Sequence, residues 1–160
     1  MITASDTTKV WHANTGACLE KLSRNDTNVQ SSWLSPDQLL SLCYSVDGRW
    51  YVTNAETESH VSTLVEQDVL VNHAEFSPDG RFVLTAHPDS TAKAWSATAG
   101  TCLMTFSGHQ DEVITAVFNS DATVVLTSPD DTTAKTWSTT TGTGLLTFTG
   151  HEDSLNTAFF

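Results

Sequence analysis

Residues 108–151, GHQDEVITAVFNSDATVVLTSPDDTTAKTWSTTTGTGLLTFTGH, decide the fold, because the stretch ends on the same Gly-His pair with which it opens. Gly108-His109 and Gly150-His151 are 42 residues apart, as are Trp95 and Trp137, and Trp11 lies two such periods before Trp95. Ser35-Pro36-Asp37, Ser77-Pro78-Asp79 and Asn119-Ser120-Asp121 fall on the same interval. So do Leu19, Val61, Leu103 and Leu145, and then Leu22, Leu64, Phe106 and Phe148. Gly100 and Gly142 share a column with Gly16, where the second copy has Glu58. From Trp11 to Phe160 this register needs no gap. So many coincident columns exclude chance, and an internal repeat outranks any local reading of the chain.

Within one period the pattern is of short strands. Val113–Phe118, Val124–Thr127, Thr133–Trp137 and Leu145–Phe148 alternate inward and outward side chains, with turn residues between them. Ser77-Pro78-Asp79-Gly80 joins first strand to second, Pro presetting φ and Gly accepting φ > 0. Asp130-Asp131-Thr132 turns second into third, and Thr141-Gly142 sits between third and fourth. No stretch carries a helical stripe. A four-stranded sheet has two faces to cover, and stacking on copies of itself covers both. The expectation is an all-β propeller built from four-stranded antiparallel blades on a 42-residue repeat, with about four blades in the chain.

Composition agrees and narrows the function classes. Charged residues make up 16% of the chain, against about 25% in an average globular domain. The 26 Thr and 17 Ser favour strand, since Thr is β-branched and stiff at χ1. Seven Lys and Arg against nineteen Asp and Glu give a net charge of −12, unsuited to holding nucleic acid or an anionic membrane, which demand clustered cations. Cys18, Cys43 and Cys102 cannot all pair, so a secreted disulfide scaffold is not expected. No apolar run suffices to span a bilayer as a helix and no signal-peptide pattern opens the chain, so a cytoplasmic location is the expectation. His12, His60, His73 and His87 show no metal-ligand spacing, and no Gly-rich phosphate loop occurs, so neither metal nor cofactor is expected. Asn25-Asp26-Thr27 matches a glycosylation sequon, idle without a secretory signal.

The repeat resembles the WD-repeat family over essentially the whole chain. The residues that carry the resemblance are Gly108-His109 and Gly150-His151, Phe76-Ser77-Pro78-Asp79-Gly80, Lys93-Ala94-Trp95 and Lys135-Thr136-Trp137. The Asp that follows Trp in the family is replaced by His12, Ser96 and Ser138, and the second copy has Thr53 in the Trp column. Gln67 and Asn25 stand in two of the His columns. The resemblance implies a hydrogen-bond relay bracing each blade: His109, Thr127 or Ser128, Asp131 and Trp137 in the best copy, Thr85, Asp89 and Trp95 in its neighbour, and Trp11 in the first. Such a set resembles a catalytic triad in composition, but nothing in the sequence supplies an oxyanion site, so bracing is the expected role and no catalytic residue is assigned.

The expected organisation of residues 1–160 is a single array. Residues 1–22 form a partial blade, 29–65, 69–106 and 113–148 complete blades, and 155–160 a first strand alone. That strand could complete the partial blade and close a small ring. The favoured alternative is a piece of a larger ring, whose open ends would call for flanking repeats or self-association. In the family, the loops leading into first strands and the turns between second and third strands share a face. Asp26, Asp68, Asp111, Glu112, Glu152 and Asp153 fall in the former and Asp6, Asp47, Asp89, Asp130 and Asp131 in the latter, so the expected surface is acidic and suited to basic peptide segments. The function the resemblance implies is a non-enzymatic scaffold for protein partners, comparable to the repeat arrays of larger signalling proteins. Two alternatives stay open. One is catalysis at the central channel, where Gln30, His73, Glu75, Thr115 and Thr157 are the polar candidates. The other is a degenerate structural segment with no partner of its own.

Overall fold

The computed structural model describes residues 2–3, 7–11, 18–23, 29–65, 70–155 and 157–160, the first three segments and Val65 through their backbone. The chain divides into two compact units, Met1–Val69 and Leu70–Phe160. Among the described residues every regular element is a strand.

In the first unit β1 (Ile2–Thr3), β2 (Thr7–Trp11) and β3 (Cys18–Ser23) form an antiparallel sheet in that order. β4 (Val29–Leu34), β5 (Leu40–Ser45), β6 (Trp50–Asn54) and β7 (His60–Val65) form a four-stranded one. The second unit holds two more four-stranded sheets. The first comprises β8 (His73–Phe76), β9 (Phe82–Ala86), β10 (Thr91–Ser96) and β11 (Cys102–Ser107). The second comprises β12 (Val113–Phe118), β13 (Val124–Pro129), β14 (Ala134–Ser138) and β15 (Gly144–Phe148). Each is an antiparallel meander in chain order, the form of a propeller blade. The repeat extends to fine geometry: the third strand slips register between Val10 and Trp11, between Ala94 and Trp95, and between Thr136 and Trp137.

Three turn columns explain how so many meanders close so tightly. In each, one residue takes a positive φ: Gln38 (63°), Gly80 (71°) and Ala122 (58°) after the first strand, then Gly48 (85°), Ser90 (65°) and Thr132 (62°) after the second. Glu58 (57°), Gly100 (69°) and Gly142 (72°) complete the pattern after the third. The register therefore imposes the left-handed conformation even where the sequence lacks Gly. Side chains hold the loops: Ser35 and Ser77 Oγ donate to Asp37 and Asp79 Oδ1 at 2.6 Å in both copies.

The core of the second unit lies between its two sheets. Leu84, Ala92 and Phe106 present one face, and Val113, Ala116, Phe118, Val125 and Trp137 cover it. Phe106 is fully buried with its ring 6.0 Å from that of Trp137; burying each such side chain contributes about 1.5–3 kcal/mol. Polar ties reinforce the joint. Asn72 Nδ2 donates to the Val113 carbonyl at 2.9 Å, Val113 N–H to the His87 carbonyl at 3.0 Å, and Phe118 N–H to Glu75 Oε1 at 2.9 Å.

The β4–β7 sheet solves the same problem with other residues. Thr53 stands in the Trp column and Cys43 in the Thr column, 3.7 Å apart. Aromatic volume moves instead to Trp50, which stacks on Trp33 at 5.6 Å and on Tyr44 at 4.9 Å.

The terminal segment differs from the expectation. Residues 155 and 157–160, expected as a first strand, carry no strand in the structure. In the other sheets a second strand pairs with the first, and among the described residues none pairs with these. Val69, the expected start of the 69–106 blade, lies outside the described residues, and the first strand of that sheet is His73–Phe76.

Candidate functional site

In the β12–β15 sheet four polar side chains form one directed chain. Trp137 Nε1–H donates to Thr127 Oγ1 at 2.8 Å, and Thr127 Oγ1 lies 2.7 Å from His109 Nε2. His109 Nδ1 lies 3.1 Å from Asp131 Oδ2. The indole can only donate, so Thr127 accepts from it. The ionised Asp131 can only accept, so a neutral His109 carries its proton on Nδ1 and its Nε2 accepts from Thr127 Oγ1, which also lies 3.3 Å from the Lys135 carbonyl. Asp131 is tied further by Gln110 N–H at 2.9 Å and Thr133 N–H at 3.0 Å. Burial alone would raise its carboxyl, but these bonds, with those from the Thr133 hydroxyl and His109, outweigh it and hold the group at about 2. His109 shifts below its usual value through burial, opposed by the Asp131 carboxylate, so the pair is a neutral imidazole bonded to a carboxylate.

Ser128, the other candidate for the hydroxyl position, belongs to a different contact. Its Oγ pairs with Thr115 Oγ1 at 2.5 Å. Adjacent strand residues point to opposite faces, so only one of Thr127 and Ser128 can meet Trp137.

The β8–β11 sheet keeps the centre of the chain and changes its end. Trp95 Nε1–H donates to Thr85 Oγ1 at 2.8 Å, and Thr85 Oγ1 lies 2.7 Å from His87 Nε2. His87 Nδ1 reaches the Leu70 carbonyl at 3.0 Å. The imidazole thus comes from two residues beyond Thr85 rather than from the column held by His109. Gln67, in that column, lies outside the described residues. Reading columns alone misses His87; what could have found it is that residues i and i+2 of a strand share a face. Asp89 takes another place: it accepts from Thr91 N–H at 3.1 Å and faces Lys93 Nζ at 3.5 Å, fixing the turn. The side chain of Trp11 is outside the description.

Chemically these sets offer little beyond bracing. Thr127 and Thr85 are fully buried and both already bond an indole and an imidazole, so neither hydroxyl is presented to a substrate. The channel candidates do not converge on one another among the contacts described. His73 falls below its usual value through burial, opposed by the Ala116 backbone, and its Nδ1 is buried without a hydrogen-bond partner. Glu75 is raised by burial, opposed by its bond from Phe118 N–H. Thr115 bonds Ser128, Gln30 is exposed, and Thr157 is exposed in the terminal segment.

The acidic candidates divide. Asp26 and Asp68 lie outside the described residues. Asp130 N–H donates to the Glu112 carbonyl at 3.0 Å, and Gln110 N–H reaches Asp131. Those bonds bring the loop before β12 and the turn after β13 to one end of the sheet. Asp111 and Asp130 are exposed there, and Glu112 is half-buried beside Asn72 Nδ2 at 3.2 Å. Glu152 and Asp153 are exposed in the segment after β15, with no bond to the other four carboxylates among the contacts described.

Residues 58–96 and 100–138 each match the family model described as "WD domain, G-beta repeat". The chain carries WD repeats. Nuclear distribution protein PAC1 of Arthroderma otae is 28% identical over 127 residues, which cover 64% of this chain and 27% of that protein. Ribosome assembly protein 4 of Saccharomyces cerevisiae is 37% identical over 46 residues, 29% of this chain and 9% of that protein. The matched WD-repeat segment thus spans little more than a quarter of one relative and under a tenth of the other. The family match covers β7 with the β8–β10 strands, and then β11 with β12–β14. It therefore contains both Trp–Thr–His sets just described.

Proposed function

We propose that this WD-repeat chain is a non-catalytic scaffold that binds protein partners, and that its acidic end receives basic peptide segments. The observation that carries the reading is the pairing of two WD repeats with hydroxyl–imidazole sets closed inside their sheets. Buried polar groups hold the blades in register, leaving loops and rim for binding, the usual division between rigid scaffold and functional loop. Asp111, Glu112 and Asp130 converge through the Asp130–Glu112 backbone bond, and Asp26, Asp68, Glu152 and Asp153 extend the same class of position along the repeat. A net charge of −12 favours encounter with cations. The relatives' names, nuclear distribution and ribosome assembly, fit a part played within larger complexes. Among the described residues no helix is long and apolar enough to cross a membrane.

Calorimetric titration with a lysine-rich peptide tests the reading. Binding should weaken with salt, as contacts between exposed charges do, and should be lost on Asp111→Lys with Glu112→Lys. Binding indifferent to both salt and charge reversal would remove the acidic end from the proposal. Hydrolytic turnover that survives purification and is lost with His73→Ala or Glu75→Ala would overturn the non-catalytic reading.

A further inference from the structure

The β4–β7 sheet carries a polar face where the other two four-stranded sheets carry the indole. Ser32 of β4 stands directly opposite Cys43 of β5, and Ser41 of β5 directly opposite Thr53 of β6. Residues paired across strands share a face, as do residues i and i+2 along one strand, so these four side chains lie together on three adjacent strands. All four are buried, Ser32 and Ser41 completely. Cys43 is at the centre of the group, its Sγ 3.7 Å from Thr53 Oγ1. Among the described residues four buried side-chain polar atoms lack a hydrogen-bond partner, and two of them, Ser32 Oγ and Ser41 Oγ, are on this face. Leaving a buried hydroxyl unpaired is costly, and native structures satisfy nearly all such groups with protein or ordered water.

The polarity is particular to this sheet. The positions of Ser32 and Ser41 hold Ala74 and Val83 in the β8–β11 sheet, and Ala116 and Val125 in the β12–β15 sheet. Trp95 and Trp137 stand there in the place of Thr53. Exchanging an indole for Thr and a Val for Ser removes volume and adds hydroxyls at one spot. The stacked aromatics of this sheet do not refill it. Trp33 opposes Leu42 and Trp50 opposes Tyr44, the two residues that flank Cys43, and neighbours along a strand point to opposite faces.

We propose that this face is a water-binding site. An ordered water held over Cys43 by the hydroxyls of Ser32, Ser41 and Thr53 ties β4, β5 and β6 together, the task that the indole and its Thr perform in the other sheets. The spacing fits. Ser32 and Ser41 stand diagonally across β4 and β5, where Cα atoms lie about 7–8 Å apart and Cβ atoms somewhat closer. That is too far for one bond between the hydroxyls, but two O–H···O bonds of about 2.8 Å in series span it. Three polar partners are the usual complement of a buried water. An organic ligand is the poorer occupant, because both serines are fully buried. The inference involves no partner protein and none of the acidic residues, so it stands or falls apart from the scaffold reading.

The sign of a stability change tests it. Ser32→Ala and Ser41→Ala each remove a single oxygen from the 160-residue chain. A hydroxyl that holds water loses a bond when it is removed, so the urea midpoint of each variant should fall, by roughly 0.5 M. A hydroxyl that is merely unpaired carries a penalty, and its removal should raise the midpoint. Water–protein NMR supplies the second reading. The parent should show a nuclear Overhauser effect from a long-lived water to the Cys43 β-protons. The double variant Ser32→Ala with Ser41→Val, which carries the residues of the other sheets, should lose it. Should that variant disturb the fold, the effect at Cys43 in the parent decides alone. A raised midpoint in either Ala variant, or no such effect in the parent, would overturn the water site.

Discussion

Replacing Thr127 by valine removes one oxygen and leaves the side-chain shape almost unchanged, so it isolates the polar chain from packing. The hydroxyl accepts from Trp137 Nε1 at 2.8 Å and reaches His109 Nε2 at 2.7 Å, and all three side chains are buried. Thr127→Val would strand two buried groups at once. Each orphaned buried group costs about 1–3 kcal/mol, so the loss should be about 2–5 kcal/mol. In a chain of this size that corresponds to a fall in Tm of roughly 5–15 °C. Urea unfolding followed by tryptophan fluorescence measures it. Thr127→Ser, which keeps the hydroxyl, should lose much less. In a Trp137→Phe background, where no indole N–H needs an acceptor, Thr127→Val should cost about 1–3 kcal/mol less than in the parent. A loss under about 0.5 kcal/mol, or equal losses in both backgrounds, would refute the claim that this hydroxyl joins the two rings.

Other outcomes follow from the same geometry. His73, His87 and His109 are each held below the usual 6.5 by burial. Their contribution is present above pH 6.5 and is lost as pH falls through their lowered values, so Tm should drop between pH 7.5 and 5; a flat profile would contradict it. Asp131, held at about 2, keeps its contribution above the usual carboxylate value and loses it only toward pH 2, so Asp131→Asn should flatten the acid limb. Thr132 takes φ 62° where the equivalent turn uses Gly48. Thr132→Gly should therefore stabilise by about 0.5–1 kcal/mol in urea, since a left-handed β-branched residue costs roughly 1–2 kcal/mol and Gly returns part as entropy. His87→Ala should destabilise the β8–β11 sheet through Thr85, whereas Asp89→Ala should act only on its exposed turn, a difference that hydrogen exchange at Trp95 Nε1 would display.

Much of this architecture is legible in one sequence because the repeat aligns unlike residues by position. The family resemblance implies that His109, Thr127 or Ser128, Asp131 and Trp137 meet although they span 29 residues of chain, and the hydrogen bonds join Thr127, not Ser128, to the set. The same logic fails where a role changes column. His87 serves Thr85 from the position that holds Pro129 in the next copy, and no column comparison can show a substitution from a different site. It fails too where packing is exchanged as a set. Thr53 and Cys43 look like erosion in the sequence, yet Trp50 stacked between Trp33 and Tyr44 restores aromatic bulk to that sheet. Residues 155–160 carry the pattern of a first strand, but a strand exists only through its hydrogen-bonding neighbour, and pattern alone does not supply one.

The most direct test of the claim that the Thr–His–Asp set braces the blade is nitrogen-resolved NMR of His109. A brace predicts a neutral ring at pH 7 with its proton fixed on Nδ1 toward Asp131, a titration midpoint below the usual 6.5, and a Trp137 Nε1–H slow to exchange. An imidazole that titrates at its usual 6.5, with a rapidly exchanging indole proton, would contradict it and return Thr127 and His109 to the list of groups free to do chemistry.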